Sequence, residues 1–517
     1  MIFALGTLVV TSLLTAAIVT AVIGDTALSR ADLDGKRAYA AAQSALQAYM
    51  YQANDNSGTS QWWENCANDT LGSAASPVAV PGSNTGAAYS WAPVLANGAT
   101  TCSTSDPIGT LIDTSTGVLR MKFSGYAGKE QRTIVASLRT LTPLSFLWYT
   151  VHETVDNSIG SSQCVNFYYS TTPPPSSCYI YWVSGDHMNG PMYTQDQFLI
   201  YPGGTPTFGR GPRDAIASQV KTNGTDDICA FSNCQGDPNI LGTREPDVQD
   251  NEQQVPLPTD NLNLQNDAGK HGIVLSGTTT LNLTTVAGTP MAVGYNCPSS
   301  SSNGACTAEN INLTTTPIIY ATNASSSCIS GTYNPTSVSY PTNNIGQYYG
   351  PCGDIYVHGS YTTPLTLAAA NDVVVTDDIT TTTNAAGTLT GPATLGLVAT
   401  DYVRVMHPCS GGNPDTTIDA AILTLNHSFF VDNYNCGGSN LGQLTVNGAI
   451  AQFYRGIVGQ VGNSGYLKNY NYDDRLSVIL PPYLFDIQNT SWMVFRESLC
   501  GQTVAYTNRT SCSYTGS

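Results

Sequence analysis

Charge is scarce in this 517-residue chain. Charged side chains make up 11% of it, against about 25% in an average domain. Only 19 are Lys or Arg, against 36 Asp and Glu, and the formal net charge is -17. Such a chain lacks the basic surface that binds phosphate backbones, so nucleic acid and anionic surfaces are excluded as main partners. Histidine is scarcer still, at 6 scattered residues. There is no G-x-S-x-G, P-loop or H-E-x-x-H, and no doubled C-x-x-C, so the usual signs of an activated serine, a phosphate cradle and a zinc site are missing. No G-G-x-G-x-D repeat supports calcium-filled coils. His187, in "SGDHMNGP" beside Asp186 and Asn189, reads as part of a polar turn. Asp377 and Asp378, like Asp473 and Asp474, are adjacent. Adjacent strand residues face opposite sides, so neither pair forms an acid/base dyad alone. The expectation is no catalytic residue, cofactor or metal.

One long hydrophobic run stands against this. Met1 to Gly24 contains no charged residue, and then Asp25, Arg30, Asp32, Asp34, Lys36 and Arg37 follow closely. A secretory signal peptide would have a basic region before the run, and none precedes it. A membrane anchor fits, since about 20 apolar residues span a bilayer core. From Leu28 to about Ala53 the pattern stays helical and turns amphipathic, with Leu33, Ala38, Ala41, Ala42, Leu46 and Met50 near one stripe. The two halves predict one helix of roughly 50 residues, about 75 Å long. This resembles the spine helix of a processed type IV pilin, which sits in the membrane before assembly and packs among other copies afterwards. Met1, Leu5, Val9, Leu13, Ala17, Val19, Val22 and Leu28 would carry the assembly. Most such pilins have Glu at the fifth mature position, where this chain has Leu5. "GDTALSRADLDGKRAYAAAQSAL", with Tyr39 to Gln43 as "YAAAQ", is similar to PilX-like pilus proteins. A single-span anchor with a stalk is the rival reading.

The 14 cysteines form close couples in order: Cys66 and Cys102, Cys164 and Cys178, Cys229 and Cys234, Cys297 and Cys306, Cys328 and Cys352, Cys409 and Cys436, Cys500 and Cys512. Local disulfides outside the reducing cytosol are the expectation, although an even count admits other connectivities.

The chain divides by pattern. Residues 1–55 are the expected spine and 56–142 a small α+β head. In that head "TGVLRMKFSGYAGKEQRTIVASLRTL" reads as two antiparallel strands, with Met121, Phe123, Ile134, Ala136 and Leu138 facing one side. Residues 143–497 hold no convincing helix, and short apolar-alternating runs recur between Gly, Asn and Asp. Their density predicts a mainly-β ectodomain, a right-handed parallel β-helix with a β-sandwich as the alternative. Val373, Val375, Leu395, Leu397, Val403, Val405, Ile418, Ala420 and Ile422 are its expected inward positions, with Thr, Asn and Tyr outward. Residues 498–517 read as a disulfide-stapled tail. "SFLWYTVHET", "YIYWVSGDHMNGPMYTQDQFLI", "TPTFGR", "LGLVATDYVRVMHP" and "PPYLFDIQNTSWMVFRE" are similar, in that order, to a segment of large PilX-like surface proteins. That resemblance implies a pilin-type N-terminus carrying a β-helical ectodomain, and no catalytic residues.

Asn-x-Ser/Thr occurs at Asn68, Asn223, Asn282, Asn312, Asn323, Asn426, Asn489 and Asn508, as candidate glycosylation sites. The functional expectation is a structural subunit of an extracellular pilus-like filament, displaying a disulfide-rich domain for adhesion or shielding. Its partners would be other copies of itself, the membrane assembly machinery, and surface or glycan ligands. The alternatives are a membrane-anchored or tip-located adhesin and a surface polysaccharide lyase or hydrolase.

Overall fold

The computed structural model describes residues 29–499 except 55–61, 85, 105, 114–117, 141, 160–162, 166–168, 170–173, 219–227, 231–234, 246–256, 327, 329–334, 345, 385–386, 410–414, 437–440, 461–463, 478 and 485–491. Met1, Leu5, Val9, Leu13, Ala17, Val19, Val22 and Leu28 lie outside the described residues, and so does the expected C-terminal tail from Cys500 onward. Among the described residues no helix is long and apolar enough to cross a membrane. The chain forms two compact units, one of residues 1–114, 118–140 and 491–517, the other of 115–117 and 141–490.

In the first unit a helix over residues 29–53 packs on an antiparallel sheet. The sheet runs Val78–Ala79, Ala88–Pro93, Val118–Ala127, Glu130–Thr140, Trp492–Leu499 in spatial order. Val118–Ala127 and Glu130–Thr140 are the two strands read from the sequence, joined by a tight turn in which Gly128 adopts φ +56. Met121, Phe123, Ile134, Ala136 and Leu138 are buried together, because alternate residues share a face. The helix buries Ala38, Ala41, Ala42, Ala45, Leu46, Tyr49 and Ala53. Leu33 is exposed and Met50 half-buried, so the buried stripe is narrower than the expected one.

The expected boundaries shift at the C-terminus. Trp492–Leu499 straddles the expected ectodomain boundary at 497 and pairs antiparallel with Glu130–Thr140 of the first unit. Residues 141–490 are therefore an insertion between neighbouring strands of one sheet. The pairing covers a strand that would otherwise present an open edge.

The second unit is a stack of coils with two faces, and strands pair in parallel from coil to coil on both. On one face the spatial order is Ile273–Ser276, Ile318–Thr322, Leu365–Ala369, Leu395–Ala399, Ala421–Thr424, Gln443–Arg455, Trp148–Val155, Met192–Thr194, Ala215–Ser218, Thr243–Glu245. Spatial and chain order thus differ in one respect. The chain enters in the middle of the stack at Trp148 and coils to one end. It then restarts at Ile273 at the other end and coils back until Gln443–Arg455 lies beside Trp148–Val155.

The interior is one continuous apolar core containing all nine expected inward positions, Val373, Val375, Leu395, Leu397, Val403, Val405, Ile418, Ala420 and Ile422. Several outward positions are also covered. Val374 and Val398 are fully buried, and Pro481 and Leu484 lie against Gly396. An asparagine ladder crosses coils on the other face: Asn189 Nδ2 donates to Asn471 Oδ1 (2.7 Å), Asn471 Nδ2 to Asn447 Oδ1 (2.9 Å), and Asn447 Nδ2 to Asp419 Oδ1 (2.8 Å).

The absence of helix expected beyond 142 is corrected by Leu262–His271. This helix buries only Leu264, Asp267 and Ala268, a stripe too thin to stand out in an Asn-rich stretch. At the same end of the stack, Thr278–Val286 continues into the antiparallel strands Thr289–Cys297 and Thr307–Asn312.

Candidate functional site

The first candidate is the free face of the long helix. Alanines line its inner face, and Gly125 in the strand beneath lets the backbones approach closely. A Cβ there would meet Ala38 O at 1.9 Å and Ala42 N at 2.4 Å. The helix end is tied to the last strand by a reciprocal pair: Asn54 Nδ2 donates to Trp492 O (3.1 Å), and Trp492 N donates to Asn54 Oδ1 (2.6 Å). The Tyr49 ring sits edge-on to Trp62, Trp91 and Phe123, and its hydroxyl donates to the buried Asp69 Oδ1 (3.0 Å). Burial pushes the Asp69 carboxyl up to about 7, against the lowering effect of that bond. The opposite helix face leaves Leu33, Tyr39 and Tyr51 exposed, at 46%, 38% and 74%.

The second candidate is a cleft of about 730 Å³ in the coiled unit. Tyr179, Tyr181, Tyr201, Tyr434 and Tyr466 line it, with Ser177, Ser184, Gln460, Asp186 and Lys468. Tyr181 meets Tyr179 and Tyr201 edge to face, with centroids 6.0 and 5.3 Å apart. Lys468 Nζ donates to Asp186 Oδ2 (2.9 Å), which also accepts from Val183 N (3.1 Å).

Behind this pair lies a second. Arg455 is fully buried and donates to Glu153 Oε2 and to the Ile180 and Tyr181 carbonyls, each at 3.1 Å. Its guanidinium stacks 3.8 Å from the centroid of the Trp182 ring. Burial lowers the pKa of both Arg455 and Lys468, opposed by their carboxylate partners. Gly456 follows because a side chain there would strike the Phe429 carbonyl. Little in the sequence announces this cleft, because its walls come from separated segments. The signals in the sequence are the aromatic density of "YIYWVSGD" and two isolated cations, Arg455 and Lys468, in strands with no other charged residue.

A serine, a histidine and an aspartate also meet. His427 Nδ1 lies 2.9 Å from Asp156 Oδ2 and 3.2 Å from Ser158 Oγ, and Ser158 is also bonded to the Tyr402 hydroxyl. Both contacts fall on the same imidazole nitrogen. A relay that activates serine needs an acid hydrogen-bonded to the other nitrogen, and Asp401 Oδ1, at 4.0 Å from His427 Nε2, is out of hydrogen-bonding reach. Burial opposes the charge on His427, and the Asp156 bond and neighbouring carboxylates outweigh it, so its pKa is raised. The arrangement is an ion pair at a coil corner, beside Asp372 and Asp432 holding Arg404 at 2.8 and 2.9 Å.

His187, Asp186 and Asn189 do not converge. Asp186 turns to Lys468, Asn189 to Asn471, and His187 is exposed. Asp473 pairs with Arg475 and Asp474 with Arg210, both at 2.8 Å, so neither belongs to a dyad. Among the described residues no cluster has the makings of a metal site.

Among the described residues, disulfides join Cys66 to Cys102, Cys164 to Cys178, Cys297 to Cys306, Cys328 to Cys352 and Cys409 to Cys436, and Cys229 is also disulfide-bonded. Cys234, Cys500 and Cys512 lie outside the described residues. Of the candidate glycosylation sites, Asn282, Asn312, Asn323 and Asn426 are exposed. Asn68 is half-buried, with its Nδ2 donating to Trp62 O (2.8 Å). Asn223, Asn489 and Asn508 lie outside the described residues.

No protein-family model matches this chain, and no curated protein does. Among solved structures it is similar to the competence-associated pilin ComZ from Thermus thermophilus, with 11% identity and a TM-score of 0.27, over 90% of this chain and 98% of that one.

Proposed function

We propose that this chain is a structural subunit of an extracellular type IV pilus-like filament. Its apolar N-terminal helix would pack with other copies, after delivery by the membrane assembly machinery. The inserted unit is then a right-handed parallel β-helix displayed outside for adhesion or shielding, the right-handed sense following the general rule for parallel crossovers. The observation that carries this reading is the long helix itself. One face is committed to the sheet, while Leu33, Tyr39 and Tyr51 remain uncovered, and the uncharged run Met1 to Gly24 precedes them in the chain. The disulfides favour a site outside the reducing cytosol. In this reading the chain turns over no polysaccharide.

Electron microscopy of native surface material from cells carrying Leu13→Asp tests the proposal. Filaments are expected from the wild type and none from the variant, because a lone charge would be buried without a partner. Normal filaments from the variant would refute the assembly role, and monomers from the wild type would favour a membrane-anchored adhesin.

A further inference from the structure

We infer that the tyrosine-lined cleft of the coiled unit binds a neutral saccharide chain. This deepens the adhesive reading above and rests on it for the setting in which the sugar is met.

Three features of the cleft point to that chemistry. The volume of about 730 Å³ falls in the roughly 300–1,000 Å³ range of sites that hold small organic ligands. Its walls present aromatic rings in different planes, Tyr181 standing at 88° to Tyr179 and at 85° to Tyr201. Tyr201 is 42% exposed although large and aromatic. The axial C–H faces of pyranose rings are apolar and pack against such rings, while the hydroxyls round the edge need hydrogen-bonding partners. Aromatic residues give this kind of contact at low entropic cost.

The third feature is the ion pair among the lining residues. Lys468 and Asp186 already neutralise each other, and so do Arg455 and Glu153 behind them. An anionic ligand would meet the Asp186 carboxylate and a cationic one the Lys468 ammonium, so either sign is opposed. Yet the pair is incompletely satisfied. Asp186 Oδ1 is buried with no hydrogen-bond partner among the described residues, and a lysine ammonium has three donors. A hydroxyl both donates and accepts, so it is the neutral group that completes a carboxylate and an ammonium together. A buried polar atom without a partner costs about 1–3 kcal/mol.

The test uses the full chain purified as it is found on cells. Its binding is read on an immobilised array of maltotriose, mannotriose, cellotriose and triacetylchitotriose, with trigalacturonate as the anionic control. At least one neutral trisaccharide is expected to bind and trigalacturonate is not. Tyr201→Ala and Tyr181→Ala should each weaken that binding at least tenfold, while Tyr295→Ala, outside the cleft, leaves it unchanged. Lys468→Met is a harsher variant that strips Asp186 of its partner. Tyr201→Ala, at an exposed position, keeps the test open if that variant does not fold. Binding of trigalacturonate alone, binding indifferent to both cleft variants, or no binding at all overturns the inference. Electron microscopy of the same preparation separates the two claims. Filaments that bind no sugar refute the cleft assignment and leave the filament reading standing. Sugar-binding monomers do the reverse.

Discussion

Asp69 shows how one side chain sets a pH response. It is fully buried in the first unit, and its carboxyl is lifted to about 7 by burial. A folded-state pKa above the unfolded value of about 3.9 means that the native protein holds the proton more tightly. Its contribution is fully present below the unfolded value and is lost as pH rises through about 7. Asp69→Asn keeps an acceptor for the Tyr49 hydroxyl and removes the charge. It should leave stability near pH 4 little changed and raise it at pH 8, by on the order of 4 kcal/mol. Denaturant melts at the two pH values check this, and a variant less stable than wild type at pH 8 would contradict it.

Helix and sheet meet through one missing side chain. Gly125 lies where a Cβ would press on the Ala38 and Ala42 backbones, so the helix over residues 29–53 cannot seat with anything larger there. Gly125→Val should destabilise the first unit by more than about 3 kcal/mol, beyond the usual cost of overpacking because backbone is what must move. Loss of the near-ultraviolet signal of Trp62 and Trp91 would report it, and an unchanged melting temperature would show the contact to be unimportant. Much of this element was legible in the sequence. The alternation of Met121 and Phe123 with polar neighbours, the turn at Gly128, and the spacing of Ala38, Ala42 and Leu46 are local patterns, and local patterns follow from periodicities of 2 and 3.6. The inward residues of the coils were legible for the same reason. Their partners were not. Parallel pairing joins Trp148–Val155 to Gln443–Arg455 across a sequence separation that no periodicity records. The cleft was hidden likewise, since Tyr181 and Lys468 share a wall only through that stacking. Leu33 fits the same apolar spacing, yet the structure leaves it exposed on the outer face of the helix.

At the scale of the whole chain, the sheet of the first unit depends on a strand far along the chain from its neighbour. A chain ending at Thr490 would lack Trp492–Leu499 and leave Glu130–Thr140 as an open edge. It should keep the coiled unit folded while the first unit melts lower or aggregates, an effect separable by hydrogen exchange on each unit. Equal protection of Glu130–Thr140 in truncated and intact chains would show that the last strand is dispensable. The same connectivity imposes a schedule on biosynthesis. At roughly 5–20 residues per second, the strand Glu130–Thr140 waits on the order of tens of seconds for its neighbour, and Trp148–Val155 waits for Gln443–Arg455 over a similar interval. Two strands made early are therefore among the last completed. Whatever receives the growing chain must guard two unpaired edges during synthesis, and each is released only when its distant downstream partner arrives.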